Sequence, residues 1–220
     1  MGGVALVTGG AGFVGRHLVR LLQREGQQVR VLDPAPPFTA EVEWQRGSVL
    51  VPADLEAAFA QVDVVFHLAA EARLGVPEPR RYHALNVEGT EAVLAMAERR
   101  RVRRIVVTST ATLLRGWNDP DPSPLRSTDR RPNPAALAGP YSRSKLAAEN
   151  LALAAAARGL SVHLIHPTVP IGPDDPTPTP PTAMLRLFAT QPPPFYLAGF
   201  LNLVAVEDVA LAHHRAAQLD

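Results

Sequence analysis

The 220-residue sequence contains no cysteine. This absence excludes disulfides, thiol catalysis and thiolate metal sites, and it is typical of a reducing compartment. No apolar run approaches the roughly 20 residues of a membrane helix, and the amino terminus lacks the basic region and cleavage site of a signal peptide. A net charge of +1 gives no electrostatic case for nucleic acid. The sequence therefore predicts a cytoplasmic protein that binds neither membrane nor nucleic acid.

Strand-type and helix-type patterns alternate along the chain. Apolar runs predict strands at residues 4–7, 28–32, 42–46, 62–68, 104–108 and 160–166. Helical spacing predicts helices after residue 15 and at 54–61, 78–99 and 141–158. The range 115–139, rich in Pro, Asp, Gly and Ser, is predicted to be a loop. The alternation predicts an α/β fold, a doubly wound parallel sheet with helices on both faces and ligands at the carboxyl ends of its strands.

A glycine-rich segment, Thr8–Gly15, lies where the first predicted strand meets the first predicted helix. Its spacing is Gly-x-x-Gly-x-x-Gly, with Gly9, Gly12 and Gly15 at the three positions. Missing Cβ atoms permit a tight reversal and the close approach of a pyrophosphate, and the free amides of the helix start favour its charge. The segment predicts a dinucleotide-binding turn; the alternative is a glycine-rich turn that binds no ligand.

Asp33 ends the second predicted strand, about 20 residues after the glycine segment, where a carboxylate can accept hydrogen bonds from the adenosine ribose hydroxyls. The same charge repels a 2′-phosphate, which favours NAD over NADP. The alternative is a turn-forming aspartate ahead of the proline-rich stretch 34–37. Arg30, three residues earlier, is interpreted as a solvated charge and not as a phosphate ligand.

Hydroxyl and basic side chains point to proton transfer. Thr108, Ser109 and Thr110 end the fifth predicted strand, and Tyr141 and Lys145, four residues apart at a helix start, share one face. An ammonium beside a tyrosine, with a nicotinamide ring close by, lowers a phenol pKa of about 10. Tyr141 can then exchange a proton with a substrate hydroxyl that Thr110 holds. Each signal is weak singly; their order and location together favour an active site.

In these segments the chain resembles the extended short-chain dehydrogenases/reductases, which include the NAD-dependent nucleotide-sugar epimerases and dehydratases. The resemblance covers essentially the whole chain. Besides the motifs above it rests on His-Leu-Ala-Ala at 67–70, Asn-Val-Glu-Gly-Thr at 86–90, the residues at 108–112 and those at 166–173. Within the family, the segment 170–204 looks most like hopanoid-associated sugar epimerases and the dihydroflavonol-reductase-like group around them.

The resemblance implies a Rossmann-type fold with Tyr141 as the acid/base, Lys145 as its pKa-lowering partner and nicotinamide-ribose ligand, and Thr110 as the third catalytic hydroxyl. It also implies that residues 69–70 pack against the adenosine side of the cofactor and that 167–168 lie beside the nicotinamide. The expected cofactor-binding residues are Gly9, Gly12, Phe13, Val14, Gly15, Asp33, Ser48, Leu68, Ala69, Ala70, Asn86, Thr108, Tyr141, Lys145, Pro167 and Thr168.

The resemblance also sets expectations for the domains and the reaction. Residues 1–166 are expected to form the NAD-binding domain and 167–220 a partial substrate-binding region, because family members usually continue beyond this length. Ser48 stands where the family usually has an Asp that reaches the adenine. The leading hypothesis is an NAD-dependent epimerase/dehydratase of a nucleotide sugar. The alternatives are an NAD(P)-dependent reductase or dehydrogenase of the dihydroflavonol or 3β-hydroxysteroid type, and a non-catalytic dinucleotide-binding regulator.

Two helical stretches, those containing Glu91 and Leu153, carry more apolar surface than one sheet face needs from a helix. Extended family members commonly dimerise through these helices, so the resemblance implies a homodimer with Leu153 or Met96 at its centre. No metal site is expected: the neighbouring His213 and His214 point in different directions from a helix and are interpreted as solvated or packed.

Overall fold

The computed structural model describes residues 3–39, 41–73, 75, 78–116, 119, 123–129, 131–191 and 201–219. Six parallel strands form one sheet with the spatial order β3-β2-β1-β4-β5-β6. These strands are β1 (Val4–Thr8), β2 (Val29–Asp33), β3 (Glu43–Arg46), β4 (Val62–His67), β5 (Arg104–Thr108) and β6 (Val162–Ile165). The predicted doubly wound sheet is confirmed. The strand order reverses between β1 and β4, and such a switch point opens a crevice at the carboxyl ends of the strands.

Helices cover both faces of the sheet. They are α1 (Phe13–Arg24), α2 (Pro52–Ala58), α3 (Arg80–Tyr82), α4 (Gly89–Arg99), α5 (Gly139–Ala157), α6 (Pro180–Thr190) and α7 (Val206–Ala216). Side chains alternate between faces along each strand, so in β1 Leu6 joins the core under α2, α4 and α5, whereas Ala5 and Val7 join the core under α1 and α7. Both faces of the central strands are thereby buried, which explains their continuous apolar runs.

The helix predicted over 78–99 is interrupted. A π-helical turn, His83–Glu88, separates α3 from α4. Within it Asn86 is buried, and its carbonyl oxygen accepts a hydrogen bond of 2.7 Å from the Thr90 hydroxyl. A side chain that bonds back to a carbonyl four residues earlier distorts the regular ladder of a helix, and π turns are often found at functional sites.

Arg30 is not a solvated charge. Its side chain is buried in β2, pairs with Glu43 at 2.8 Å, and donates hydrogen bonds to the carbonyl oxygens of Ala58 and Ala60. These carbonyls end α2, where a cation satisfies unpaired oxygens and complements the helix dipole. The sequence interpretation was wrong because the carbonyl partners of Arg30 lie about 30 residues away along the chain.

The carboxyl-terminal residues contribute to the same body. A second, two-stranded parallel sheet pairs β7 (Val169–Ile171) with β8 (Leu203–Ala205), and α7 packs on α1 in the second core. The predicted loop 115–139 includes a short 3-10 turn, Pro134–Ala136, and its residues 117, 118, 120–122 and 130 lie outside the described residues. Among the described helices, none has the length and apolar character to span a membrane.

Of the two residues expected at the centre of an interface, Met96 packs in the core under α4, whereas Leu153 on α5 is 49% exposed. Met96 is 8% exposed, so a partner could not reach it without opening the core. Of these two residues, Leu153 is the one accessible at the surface.

Candidate active site

The glycine turn leaves no room for side chains at its two ends. Gly9 has φ +73°, and a Cβ atom there would lie 2.6 Å from the amide nitrogen of Ala69. A Cβ atom on Gly15 would lie 2.3 Å from the carbonyl oxygen of Gly9. Gly12 precedes α1 as its cap and offers no side-chain acceptor to the first-turn amides. These amides and the helix dipole form a ready anion-binding site.

A cleft runs from this turn along the carboxyl ends of the strands. It consists of two adjoining cavities of about 420 and 280 Å³ that share Gly9, Gly12, Leu68 and Ala70. The larger cavity is also lined by Asp33, Ser48 and Ala69. The smaller is also lined by Phe13, Val14, Gly15, Thr108, Ser109, Thr110, Tyr141, Lys145, Pro167 and Thr168. The structure thus brings together along one cleft every residue expected at the site apart from Asn86.

Asp33 closes one end of the cleft. One carboxylate oxygen accepts a hydrogen bond of 3.1 Å from the Ala11 amide, and the other accepts one of 2.9 Å from the Ala35 amide. Burial raises the pKa of Asp33, and these two hydrogen bonds oppose the rise. Each oxygen keeps a second lone pair. The carboxylate therefore shapes the turn at Ala35, as the alternative interpretation held, and still has capacity to accept ribose hydroxyls.

Tyr141, Thr110 and Lys145 meet at the other end. Burial raises the pKa of Tyr141 above 10.0, and a hydrogen bond with the Thr110 side chain opposes the rise. Lys145 directs its Nζ to the main-chain oxygen of Thr108, at 2.6 Å. Burial lowers the pKa of Lys145 to about 8, while the charge of Glu149 opposes the fall. Among the described residues, the expected lowering of the Tyr141 pKa by Lys145 is not found.

Lys145 is also the only lysine of the sequence, since every other basic residue apart from histidine is an arginine. Arginine remains charged in proteins, whereas a lysine changes its pKa readily when it is buried. The single lysine at a buried cleft position is a signal that the sequence contains and that the motif-based prediction did not use.

Asn86 lies beneath the cleft and not in its wall. Its amide nitrogen donates to the Glu71 carbonyl oxygen at 3.1 Å and to the Ser144 hydroxyl at 2.9 Å, and its amide oxygen accepts from the Glu71 amide at 2.7 Å. The Ser144 hydroxyl in turn donates to the carbonyl oxygen of Tyr141. Asn86 thus supports α5, the helix that carries Tyr141 and Lys145, from below.

A buried histidine, His67, continues this support towards the glycine turn. The Thr90 hydroxyl donates to Asn86, so it must accept from Nε2 of His67 at 3.0 Å, and Nδ1 then accepts from the Thr8 hydroxyl at 2.8 Å. Burial, and secondarily the charge of Lys145, lowers the pKa of His67 to about 3. His67 is therefore neutral and structural.

Sequence reasoning missed a second polar cluster under the cleft. Glu149 on α5 is 1% exposed and contacts Arg131, His166 and Ser109. The signal was available in the spacing: Tyr141, Lys145 and Glu149 are each four residues apart, which places them along one helix face. The partners of Glu149 come from distant parts of the chain, and no local pattern reveals them.

The remaining candidate sites are accounted for by packing. His213 is fully buried; Nδ1 bonds the Val209 carbonyl oxygen and Nε2 the Thr108 hydroxyl, both at 2.7 Å. Within the described ranges, no group of three or more histidine or carboxylate side chains could hold a metal ion. A third cavity, of about 790 Å³, lies between α1 and α7 and is lined by acidic and basic side chains in mixture.

A comparison with known proteins gives one family. A model described as "NAD dependent epimerase/dehydratase family" matches residues 5–220. The chain is 35% identical to "Putative dihydroflavonol 4-reductase" of Synechocystis sp. over 213 residues, 94% of this chain and 61% of that protein. It is 34% identical to "UDP-glucose 4-epimerase" of Halalkalibacterium halodurans over 154 residues, 66% of this chain and 44% of that protein.

A solved structure, "MoeE5 in complex with UDP-glucose and NAD", superimposes with a TM-score of 0.81 at 32% identity, over 99% of this chain and 72% of that one. The chain spans about three fifths of the length of the Synechocystis relative and less than half of the length of the Halalkalibacterium relative.

Proposed function

The chain belongs to the NAD-dependent epimerase/dehydratase family of extended short-chain dehydrogenases/reductases, and on this basis we propose that it is an NAD-dependent epimerase or dehydratase of a nucleotide sugar. The observation that carries the proposal is the meeting of Tyr141, Thr110 and Lys145 at the opposite end of one cleft from Asp33. A regulator that only binds a dinucleotide has no need of these three side chains together. The similarity to proteins named for UDP-glucose supports the substrate class.

The residues along the cleft fit a nicotinamide dinucleotide. The side-chain-free turn at Gly9 and Gly15 and the amides that begin α1 would hold the pyrophosphate. Asp33 would hold the adenosine ribose, and Lys145 the nicotinamide ribose. When bound, the nicotinamide supplies the acceptor and donor of hydride. The charge of Asp33, which is buried at the end of β2, favours NAD over NADP.

The protein's own part in the chemistry is proton transfer and positioning. Tyr141 exchanges a proton between its phenolic oxygen and the hydroxyl of the reacting carbon, because its ring faces the cleft and its oxygen bonds Thr110. Thr110 holds the same substrate oxygen. Lys145, held by Thr108, lines the same cavity and would supply positive charge to a phenolate once cofactor and substrate are bound. Thr110 and Lys145 are buried and Tyr141 is half-buried, and low access of water strengthens each of these interactions.

A reductase or dehydrogenase of the dihydroflavonol type is the second candidate. The observation that favours it is the 35% identity over 94% of this chain to the protein named for that activity. The same three side chains serve both reactions. The substrate-binding region expected at 167–220 would decide between them, together with any further segment of the whole protein.

We also propose a homodimer in which the helices containing Glu91 and Leu153 pack against their symmetry mates. Leu153 is 49% exposed on α5, and its neighbours Ala154 and Ala157 are exposed as well. Small side chains around one leucine allow two helices to approach closely.

One assay separates the candidates. The purified protein is incubated with NAD and UDP-sugars, GDP-sugars or alcohols, and separately with reduced cofactor and ketones, while the absorbance of reduced cofactor and the sugar products are followed. An epimerase converts a nucleotide sugar with no net change in reduced cofactor; a reductase or dehydrogenase changes it in proportion to product. Failure of NAD and NADP to bind in calorimetry contradicts both candidates.

A further inference from the structure

Glu149 is a carboxylate enclosed by the protein one helical turn beyond Lys145. Its side chain is 1% exposed. One oxygen accepts a hydrogen bond of 2.6 Å from Nε of Arg131. The other accepts one of 2.8 Å from Nε2 of His166 and one from the Ser109 hydroxyl. Four parts of the chain converge on this group: α5 itself, the segment that precedes α5, and the ends of β6 and β5.

Each partner of Glu149 connects to a wall of the cleft. Ser109 lines the smaller cavity between Thr108 and Thr110. His166 directly precedes the cleft residues 167–168. These two walls are also joined directly, since the Ala111 amide donates to the Pro167 carbonyl oxygen at 2.9 Å. Glu149 therefore lies where α5 meets both the strand end at Ser109 and the segment that begins at His166.

The third partner, Arg131, orders the segment in front of α5. Besides its bond to Glu149, its guanidinium donates to the carbonyl oxygens of Asp129 at 2.6 Å and Ser127 at 2.9 Å. Arg131 is 16% exposed at its side chain, and Glu149 is fully covered there. The planar guanidinium thus fixes Ser127 and Asp129 to a buried anchor, a geometry that a lysine could not reproduce.

Charge keeps this cluster together. Burial raises the pKa of Glu149, but the hydrogen bonds from His166, Ser109 and Arg131 outweigh burial and lower it to about 2. The carboxylate is therefore ionised at neutral pH. A buried charge that loses its partners is strongly destabilising, so the three partners and Glu149 hold one another in a single arrangement.

We propose that Glu149 is a positioning residue of the reaction: through Ser109, His166 and Arg131 it fixes the strand end at 108–110, the residues 167–168 and the chain at Ser127 and Asp129 around α5. The inference rests on the proposed function. Glu149 touches neither the cleft nor a reacting atom; it acts on Lys145 through its charge and on Thr110 through the neighbouring Ser109.

The electrostatic part concerns Lys145. The ionisable groups that face Lys145 are Glu149 and Tyr141 on α5 and His67 on β4. His67 is neutral, so the negative charge near the ammonium comes from Glu149. Because burial disfavours the charged form of Lys145, removal of the Glu149 charge lets the ammonium lose its proton at a lower pH.

The test uses the full chain with Glu149→Gln, which keeps the shape and removes the charge, and Glu149→Asp, which keeps the charge on a shorter stem. The matched control is Glu98→Gln, because Glu98 also pairs with an arginine near α5, Arg158 at 2.7 Å, but lies away from the cleft. Hydrogen exchange reports the order of residues 109–110, 127–131 and 166–168. Lysine-selective labelling gives one side-chain resonance, that of Lys145, because the sequence has a single lysine.

We expect exchange in Glu149→Gln to be faster by about tenfold or more at these three segments, and the Lys145 titration to move about one pH unit lower. Turnover falls about 10- to 100-fold with a smaller change in KM for the sugar. Glu149→Asp restores the titration in part, and Glu98→Gln leaves all three readouts as in the unaltered protein. If Glu149→Gln fails to fold, Arg131→Gln is expected to loosen 127–131 alone.

Unchanged exchange at the three segments together with an unchanged Lys145 titration in Glu149→Gln overturns the proposal. Equal effects of Glu149→Gln and Glu98→Gln on all readouts also overturn it, since these would reflect a general loss of stability. A lack of turnover in the unaltered protein counts against the proposed function instead. In that case exchange and titration, which need no substrate, still decide the role of Glu149.

Discussion

The Nζ atom of Lys145 lies 2.6 Å from the main-chain oxygen of Thr108 and donates a hydrogen bond to it. The bond joins α5 to the end of β5, so the position of the ammonium in the cleft is set by a backbone atom and not by a mobile side chain. A backbone acceptor supports the ammonium without supplying a full negative charge. Burial still disfavours the charged form of Lys145, so the ammonium lowers the stability of the folded protein. We attribute its presence to function.

Lys145→Met is accordingly expected to separate the stability of the protein from its activity. Removal of a buried charge in favour of an apolar side chain of similar length should raise the free energy of unfolding at pH 7 by about 1 kcal/mol or more. Turnover should fall by about 100-fold or more, because the phenolate loses its stabilising cation. Chemical denaturation and steady-state kinetics measure the two effects. A variant that is both less stable and fully active would contradict this account.

Tyr141→Phe is expected to lower turnover by at least about 100-fold, since general acid-base catalysis contributes 10² to 10⁴. Cofactor affinity should change little, because the ring remains. The matched control is Tyr82→Phe. The Tyr82 ring packs edge-on against the Tyr141 ring with 6.2 Å between the ring centroids, and the Tyr82 hydroxyl donates to the Arg73 carbonyl oxygen. Turnover of Tyr82→Phe should stay within a few-fold. Full activity of Tyr141→Phe removes Tyr141 from the proposed mechanism.

Asp33→Ser is expected to narrow the preference for NAD over NADP by relieving repulsion of the 2′-phosphate. The substitution also removes acceptors from the Ala11 and Ala35 amides, so Asp33→Asn, which keeps one side-chain oxygen, separates loss of charge from loss of the turn. Calorimetry with both cofactors gives the comparison. A preference of the unaltered protein for NADP would show that Asp33 does not select the cofactor.

Buried histidines predict a loss of stability in acid. The pKa of His213 is lowered by burial from 6.5 to about 4, so between these values the unfolded chain binds more protons and the free energy of unfolding falls as the pH falls. His213→Gln should flatten the stability curve between about pH 6.5 and 4. The exposed His83 provides the control, His83→Gln. If the free energy of unfolding falls equally with pH in the two variants, His213 is excluded as a source of the loss of stability in acid.

Leu153→Arg is expected to convert the proposed dimer to a monomer or an aggregate, because a charge in the middle of a helix interface is left unpaired. The control is Leu185→Arg on α6, where leucine is 37% exposed and outside the proposed interface. Light scattering at tens of micromolar would give the mass. A monomer mass for the unaltered protein is incompatible with the interface.

Local patterns predicted the fold because this sheet is built from local units. Each strand with its helix produces its own periodicity, and the glycine turn and Asp33 are defined by their places within one such unit. The same local view placed Tyr141 and Lys145 on one face. It failed where the partners of a residue lie far along the chain. Arg30 donates to carbonyl oxygens at the end of α2, and Met96 packs in the core. Glu149 contacts Arg131, His166 and Ser109.

The hydrogen bonds that run from Thr8 through His67, Thr90, Asn86 and Ser144 to Tyr141 have a mechanical consequence. They span β1, β4, α4 and α5 and place the glycine turn and Tyr141 on one continuous frame. Such a frame opens as a single cooperative unit, at a free energy close to that of global unfolding. The small β7–β8 sheet lies outside this frame, so it can move without changing the distance between the glycine turn and Tyr141.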